Sequence, residues 1–259
     1  MSLVLVETKD HVGMVTLNNP EKRNALSHAL IDDLIAALAA LKVQNARCII
    51  LRAPAGSKVF SAGHDIGELP RGSRDPLTYS DPLRWGIRAI QTFPAPVIAM
   101  VEGSVWGGAF ELVMSCDMVY AAETSTFAMT PANLGVAYDI VGVHNIIRDS
   151  SLHVIKEMLF TARPIIAQRA HQAGMLNLVA PVAELEAAVM ESVSLIALKA
   201  PLSIGLMKEE LRVLNEANPL TPDEFERLQG MRRIVYDSDD AKEGIAAFYA
   251  QRKPVFSGQ

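Results

Sequence analysis

The 259-residue sequence predicts an α/β layered fold followed by a helical C-terminal module, and three observations carry that expectation. Two short runs, Arg47-Cys48-Ile49-Ile50-Leu51 and Val97-Ile98-Ala99-Met100-Val101, are apolar almost throughout, the pattern of strands buried on both faces. Segments of helical period lie between such runs, so strand, helix and strand alternate through crossover connections. From Pro201 onward the strand pattern stops and only charged, helix-forming segments remain.

Taken in order, residues 3–6 and 14–17 flank the turn-rich Lys9-Asp10-His11-Val12-Gly13 and predict a hairpin at the sheet edge. Over residues 27–41, Leu30, Ile31, Leu34, Ile35, Leu38 and Leu41 keep a helical period while Asp32 and Asp33 point the other way. That is an amphipathic helix packed on a sheet. After the strand at 47–51, residues 53–66 form a loop rich in small side chains that ends in Gly63-His64-Asp65-Ile66. Residues 67–96 are polar and carry five prolines, which reads as a lid over a ligand or as a surface loop. The strand at 97–101 runs through Gly107-Gly108 into a buried helix over 109–116. Short strands at 117–121 and 126–129 precede a turn at 130–135, helices at 142–150, 151–160 and 164–174, a strand at 176–179 and a long helix at 184–199. The last portion is helical over 206–214, 225–236 and 239–250, with Thr221-Pro222-Asp223-Glu224 as a helix start. The division expected is a core domain at 1–200 holding the site and a module at 201–259 used for assembly.

Composition excludes several classes. A net charge of −5 with acids and bases interspersed leaves no basic footprint for nucleic acid. Cys48 and Cys116 sit in apolar runs, the setting of reduced core thiols. The N-terminus lacks a basic leader and its apolar run stops at Glu7, and no run is long enough to span a membrane, so a cytoplasmic location is expected. No metal-ligand spacing, phosphate-loop lysine or GxSxG serine is present, so no metal site is expected.

What remains is main-chain chemistry. The start of the helix after Gly107-Gly108 exposes unpaired N–H groups, and glycine lets a ligand oxygen approach them. The loop at 53–66 leaves its own N–H groups uncovered in the same way. If the strands at 47–51 and 97–101 are neighbours, both loops leave one sheet edge, and two converging N–H groups would stabilise a developing oxyanion. A ligand-free strand-to-helix turn explains the glycine pair equally well. His64 fits three roles, as a side-chain catalyst, a side-chain contact or a residue used for its main-chain N–H, and the last is the reading preferred here.

Phe60-Ser61-Ala62-Gly63-His64-Asp65-Ile66 and Gly103-Ser104-Val105-Trp106-Gly107-Gly108-Ala109-Phe110-Glu111 together resemble the paired signatures of the crotonase (enoyl-CoA hydratase/isomerase) superfamily. The similarity extends to Asn24-Ala25-Leu26, Phe160-Thr161-Ala162, Lys199-Ala200-Pro201 and Arg252-Lys253-Pro254. The runs at 57–65, 102–111 and 224–233 are most similar to its methylmalonyl-CoA decarboxylase branch. The resemblance implies a spiral of ββα units with a C-terminal helical trimerisation module, assembled as a homotrimer or a dimer of trimers. It implies that the N–H groups of His64 and Gly108 bind the thioester oxygen and that coenzyme A lies along Ala62, Gly63, His64, Asp65 and Ile66. Thr130 and Tyr138 then fall near the acyl group. Coenzyme A is part of the substrate, and no separate cofactor is implied.

Which acids are present narrows the reaction. Hydratases of this superfamily use two glutamates. Glu111 occupies the first place, but Pro131 is followed by Ala132 where the second would stand. That argues against hydration, and the resemblance to the decarboxylase branch implies instead biotin-independent decarboxylation of a malonyl or methylmalonyl thioester to acetyl-CoA or propionyl-CoA, with Tyr138 orienting the carboxylate and Val105 and Trp106 keeping the pocket poorly solvating. Glu111, inside an apolar helix, is expected to be protonated or tied to a partner, either shaping the pocket or reprotonating the enolate. It could also be a carboxylate placed near a helix start for stability, and Tyr138 a core aromatic with a polar tip. Asp139 departs from the branch pattern and leaves an isomerase reading open; a non-catalytic acyl-CoA-binding or RNA-associated protein is the alternative of another class. Gln251 stands where a phosphate-contacting lysine is expected, leaving Arg252 and Lys253 as candidates.

Overall fold

The computed structural model describes residues 2–68, 81–147, 150–215 and 221–258. The chain opens with the expected hairpin, β1 (Val4–Lys9) antiparallel to β2 (Val12–Leu17). Asp10 and His11 both take positive φ, the two-residue turn whose twist matches the strands it joins. Helix α1 (His28–Val43) starts at Ser27, whose hydroxyl accepts the Leu30 N–H, and it buries Leu30, Ile31, Leu34, Leu38 and Leu41 as their period requires.

Three turns of a spiral follow. The first is β3 (Cys48–Arg52), β4 (Val59–Ser61) and α2 (Pro82–Gln91). The second is β5 (Val97–Val101), β6 (Ser104–Trp106) and α3 (Gly108–Met114). The third is β7 (Met118–Ala122), β8 (Thr126–Ala128), a 3-10 turn at Pro131–Leu134, then α4 (Ile140–Ile147) and α5 (Leu152–Thr161). In each turn the first strand joins a large sheet and the second a small one. Next come β9 (Ile165–Ile166), α6 (Ala167–Gln172), β10 (Leu178–Ala180) and α7 (Val182–Ala197), and the chain finishes with α8 (Pro201–Asn215), α9 (Pro222–Asp237) and α10 (Asp239–Tyr249). Among the described residues the large sheet has the order β1-β2-β3-β5-β7-β10, parallel except for the first pair, and the small sheet the order β4-β6-β8-β9.

The all-apolar strands are explained by burial on two sides. Ile49 and Leu51 of β3 face the core shared with α1, α2 and α3, while Cys48 and Ile50 face a second core closed by Leu185, Val189 and Val193 of α7. Both cysteines are free and buried, and burial pushes the Cys48 thiol up to about 12. Among the described residues no single helix is long and apolar enough to cross a membrane.

Two expectations are corrected. The polar stretch at 67–96 is not all loop: its second half is α2. Asp81 caps that helix through the Leu83 N–H at 2.8 Å, Pro82 occupies a first-turn position where it costs no hydrogen bond, and Leu83, Ile87 and Ile90 face inward. Gly86 lets α2 approach Ile31 of α1. The remainder of the lid expectation, 69–80, lies outside the described residues. The single helix expected at 164–174 is β9 followed by α6, because Ile165 and Ile166 pair antiparallel with β8. The strands of the small sheet are three residues or fewer, too short to show a period in sequence.

Candidate active site

β3 and β5 are parallel neighbours, and so are β4 and β6, with a register shift between Val59 and Ser61. The loop after β4 is thereby laid against the turn after β6. Asn24 pins it: its side chain donates to the Phe60 carbonyl at 2.9 Å, and the Ser61 hydroxyl donates to the Asn24 carbonyl at 2.6 Å. Gly63 has φ +85, and a Cβ there would collide with the Trp106 carbonyl and stand 3.1 Å from the Gly108 nitrogen. Only glycine allows this approach.

The approach sets two amides side by side. Gly63 C=O accepts from Leu26 N–H and Asp65 N–H donates to Leu26 C=O, so the intervening His64 N–H points to the opposite side. Gly108 is the first residue of α3, where no intrahelical acceptor exists for its N–H. Among the described residues neither N–H donates a hydrogen bond to another main-chain group. A Cβ added to Gly108 would lie 3.4 Å from the His64 nitrogen.

Both amides border a cavity of about 360 Å3. Of the residues singled out from the sequence, Ala62, His64, Ile66, Gly108, Glu111, Thr130 and Tyr138 line it. Gly63 lies behind the wall. Asp65 turns aside, pairing with Lys22 at 3.0 Å and accepting the Gly67 N–H at 2.9 Å. Trp106 lines the cavity as expected, whereas Val105 is wholly buried in the core and does not reach it.

The deep wall is ionic. Glu111, one helical turn after Gly108, is 1% exposed and is held by the Arg84 guanidinium, with Nη1 2.5 Å from Oε1 and Nη2 donating to Oε2 at 2.7 Å. Arg84 also places Nε 2.9 Å from Asp139 Oδ2, and Asp139 Oδ1 accepts the Gly142 N–H at 2.6 Å at the start of α4. Asp139 is therefore committed to Arg84 and to a helix start and does not stand free as a base. Burial pushes the Glu111 carboxyl up to about 7, with Arg84 opposing and Asp139 adding to the rise. Beside them the Tyr138 hydroxyl is buried and, among the described residues, without a partner; burial raises its pKa, so it keeps its proton as a donor. Burial lowers the His64 pKa, with Asp81 opposing from 3.8 Å. The neutral imidazole is favoured.

Sequence reasoning missed Arg84 and Leu83, which α2 brings to the cavity, and Arg23, Tyr236 and Phe248. The Asp81-Pro82 cap before an apolar i, i+4, i+7 row was the available signal for α2. Phe248 arrives because α10 crosses the 131–135 turn closely: Cβ atoms on Gly135 and Gly244 would collide with the main chain of Asp240 and Leu134; Tyr236, on α9, donates its hydroxyl to the Ala137 carbonyl at 3.1 Å. The C-terminal helices thus wall the cavity as well. Arg252 is forked onto Glu243 at 2.6 and 2.7 Å, so the expectation that it is available for phosphate meets a competing partner.

This sheet pair, spiral and amide pair define the chain as a member of the enoyl-CoA hydratase/isomerase family, whose profile matches residues 7–259, and its fold is the crotonase fold. More particularly, it is 59% identical over 255 residues to the methylmalonyl-CoA decarboxylase of Escherichia coli strain K12, covering 98% of both chains. Solved structures of methylmalonyl-CoA decarboxylase superpose with TM-scores of 0.97 and 0.98 at 58% identity, one in complex with 2-nitronate-propionyl-CoA and the other with 2S-carboxypropyl-CoA; they cover 99% and 100% of this chain and 99% of their own. A mitochondrial enoyl-CoA hydratase from Pongo abelii is more distant, 33% identical over 252 residues, 96% of this chain and 84% of that one.

Proposed function

We propose that this chain decarboxylates methylmalonyl-CoA to propionyl-CoA without biotin, and malonyl-CoA to acetyl-CoA in the same site. The observation that carries the reading is the pair of uncommitted amides, His64 and Gly108, facing one cavity whose only glutamate among the described lining residues is locked to Arg84. The thioester oxygen is held by the two N–H groups. As the carboxylate leaves, its electron pair passes into the thioester as an enolate, and the negative charge moves onto the oxygen between the amides, at the positive end of α3. Tyr138 donates one hydrogen bond that turns the carboxylate out of the thioester plane, so that the breaking bond overlaps the π system. Trp106, Leu134 and Val136 solvate the carboxylate poorly, which favours its departure. Thr130 borders the acyl group, and coenzyme A follows the edge formed by Ala62, Gly63, His64, Asp65 and Ile66.

Hydration is disfavoured by Ala132 and by the Arg84 lock on Glu111, and a free-base isomerase by the Arg84 and Gly142 contacts of Asp139. Residues 1–200 act as the catalytic core and 201–259 as the assembly module of a homotrimer or dimer of trimers. Helix α8 supports that division: it buries none of its own residues and exposes Leu202, Leu206, Met207, Leu211 and Leu214. The protein works in the cytoplasm, consistent with its two reduced thiols. Incubation with methylmalonyl-CoA and, separately, crotonyl-CoA tests the reading. Carbon dioxide release from the first with negligible hydration of the second is expected; the reverse pattern overturns it.

A further inference from the structure

Tyr138 stands in a stretch that no secondary structure holds. Residues 136–139 lie between the 3-10 turn at Pro131–Leu134 and α4, in neither helix nor strand. The turn holds the near end, where the Val136 N–H donates to the Pro131 carbonyl at 3.1 Å. The far end is held at Asp139, whose carbonyl accepts the Val143 N–H at 3.0 Å and whose Oδ2 lies 2.9 Å from Arg84 Nε. Between them the carbonyl that joins Ala137 to Tyr138 is held from outside the stretch, by the Tyr236 hydroxyl of α9, which donates to it at 3.1 Å. Tyr236 is itself fixed from two directions. Arg232, one turn earlier on α9 and 5% exposed, lies over its ring, 5.0 Å from the centroid. Ser238 staples α9 to α10, donating to the Val235 carbonyl at 2.7 Å and accepting the Ala241 N–H at 3.1 Å, and α10 is pressed against the turn at Gly135 and Gly244. Tyr236 thus reaches Ala137 from a frame packed on the same turn that leads into the Tyr138 stretch.

We propose that Tyr236 is a positioning residue for the decarboxylation and acts through Tyr138: by holding the Ala137 carbonyl it fixes the peptide between Ala137 and Tyr138, and with it the direction in which the Tyr138 hydroxyl meets the substrate carboxylate. This rests on the decarboxylase reading of the site and on the role of Tyr138 in it. The covalent path is short. The Ala137 carbonyl and the Tyr138 nitrogen share one planar peptide, so rotation of that plane turns the Cα–Cβ bond of Tyr138 directly. The phenol is a long arm, and a small rotation at the peptide becomes a larger displacement at the hydroxyl, to which an aimed group is sensitive in rate. Both tyrosines line the cavity, and the buried Tyr138 hydroxyl has no partner among the described residues that would correct its aim. Tyr236 spends its own hydroxyl on Ala137, so it aims the donor without replacing it. Because Tyr236 belongs to α9, the C-terminal helices take part in the chemistry as well as in walling the cavity.

The test is a double-mutant cycle in steady-state decarboxylation of methylmalonyl-CoA, with Tyr138→Phe, Tyr236→Phe and the two combined. Tyr236→Phe keeps the ring beside Arg232 and removes only the hydroxyl. Its kcat is expected to fall about threefold to tenfold, no further than the roughly tenfold loss in Tyr138→Phe, with KM unchanged because the thioester oxygen and coenzyme A are held elsewhere. In the Tyr138→Phe background the same change leaves kcat where it is, since no hydroxyl remains to be aimed. Replacing Tyr236 by 4-aminophenylalanine, whose N–H can donate to Ala137, restores kcat, whereas 4-methylphenylalanine, of similar shape and without a donor, does not; this pair decides if Tyr236→Phe fails to fold. A parent kcat in Tyr236→Phe overturns the inference, as does a loss of equal size in both backgrounds, which would mean that Tyr236 acts without Tyr138. Equal rates for the amino and methyl replacements overturn it too. Failure of the parent to release carbon dioxide instead overturns the decarboxylase reading.

Discussion

The two walls of the cavity are made by different means. The outer wall is main chain: His64 and Gly108 present amides whose spacing is set by how closely Gly63 lets two loops approach. The deep wall is side chain: Arg84, Glu111 and Asp139 come from α2, α3 and the start of α4 and hold one another by charge. The first depends on the absence of atoms, the second on every partner being present. Injury to the outer wall should therefore abolish chemistry and spare the fold, and injury to the deep wall should appear first in stability.

Gly108→Ala is the sharpest break on the outer side. The new methyl group would stand 3.4 Å from the His64 nitrogen and 3.0 Å from Leu83 Cδ2, filling the space an oxygen must occupy. A fall in kcat/KM of about 10² to 10³ is expected, the effect of losing one such donor, with urea stability changed by about 1 kcal/mol or less. Retention of a tenth of the parent rate would sink the idea that the oxygen sits there. On the deep side, Arg84→Met strands two buried carboxylates, and a loss of about 3 to 5 kcal/mol is expected from urea unfolding. Removing Glu111 and Asp139 charges as well, in a triple variant with Gln and Asn, should recover part of it. Tyr138→Phe is milder, about 1.5 kcal/mol of activation free energy or roughly tenfold in kcat, with an unchanged urea midpoint. Decarboxylation at the parent rate would remove Tyr138 from the mechanism.

The same division governs what could be read from the sequence. Strands buried on both faces, such as β3 and β5, announce themselves because no polar residue interrupts them, and their adjacency brings the two loops together. Gly63, Gly107 and Gly108 are legible as places where main chain is left uncovered, although the glycine pair by itself fits a ligand-free turn equally well and only the second loop, laid alongside by β4 and β6, separates the two readings. Arg84 is not legible: it sits in a proline-rich polar stretch, and its meaning comes from Glu111, 27 residues away, and Asp139 beyond. Phe248 is equally hidden, since the crossing of α10 that delivers it depends on Gly135 and Gly244, distant in the chain, and so is Tyr236, whose partner is the Ala137 carbonyl. Local pattern encodes elements and glycine geometry; pairing between charges across the fold does not show as a pattern.

The smallest effect separates the walls most cleanly. In the unfolded chain Glu111 loses its proton near 4.5, whereas in the fold burial holds it to about 7. Between those values the native state binds more protons than the unfolded state, so this group's contribution to stability is complete below 4.5 and lost as pH rises towards 7. His64 acts in the opposite sense, because its depressed pKa makes stability rise with pH below 6.5. Subtracting the profile of Glu111→Gln from that of the parent cancels His64 to the extent that its environment is unchanged, and leaves the Glu111 contribution. Urea midpoints measured across this range should give a difference that declines steadily from acid to neutral pH. A flat difference would mean that Arg84 keeps Glu111 ionised throughout, and the deep wall would then be a closed ion pair.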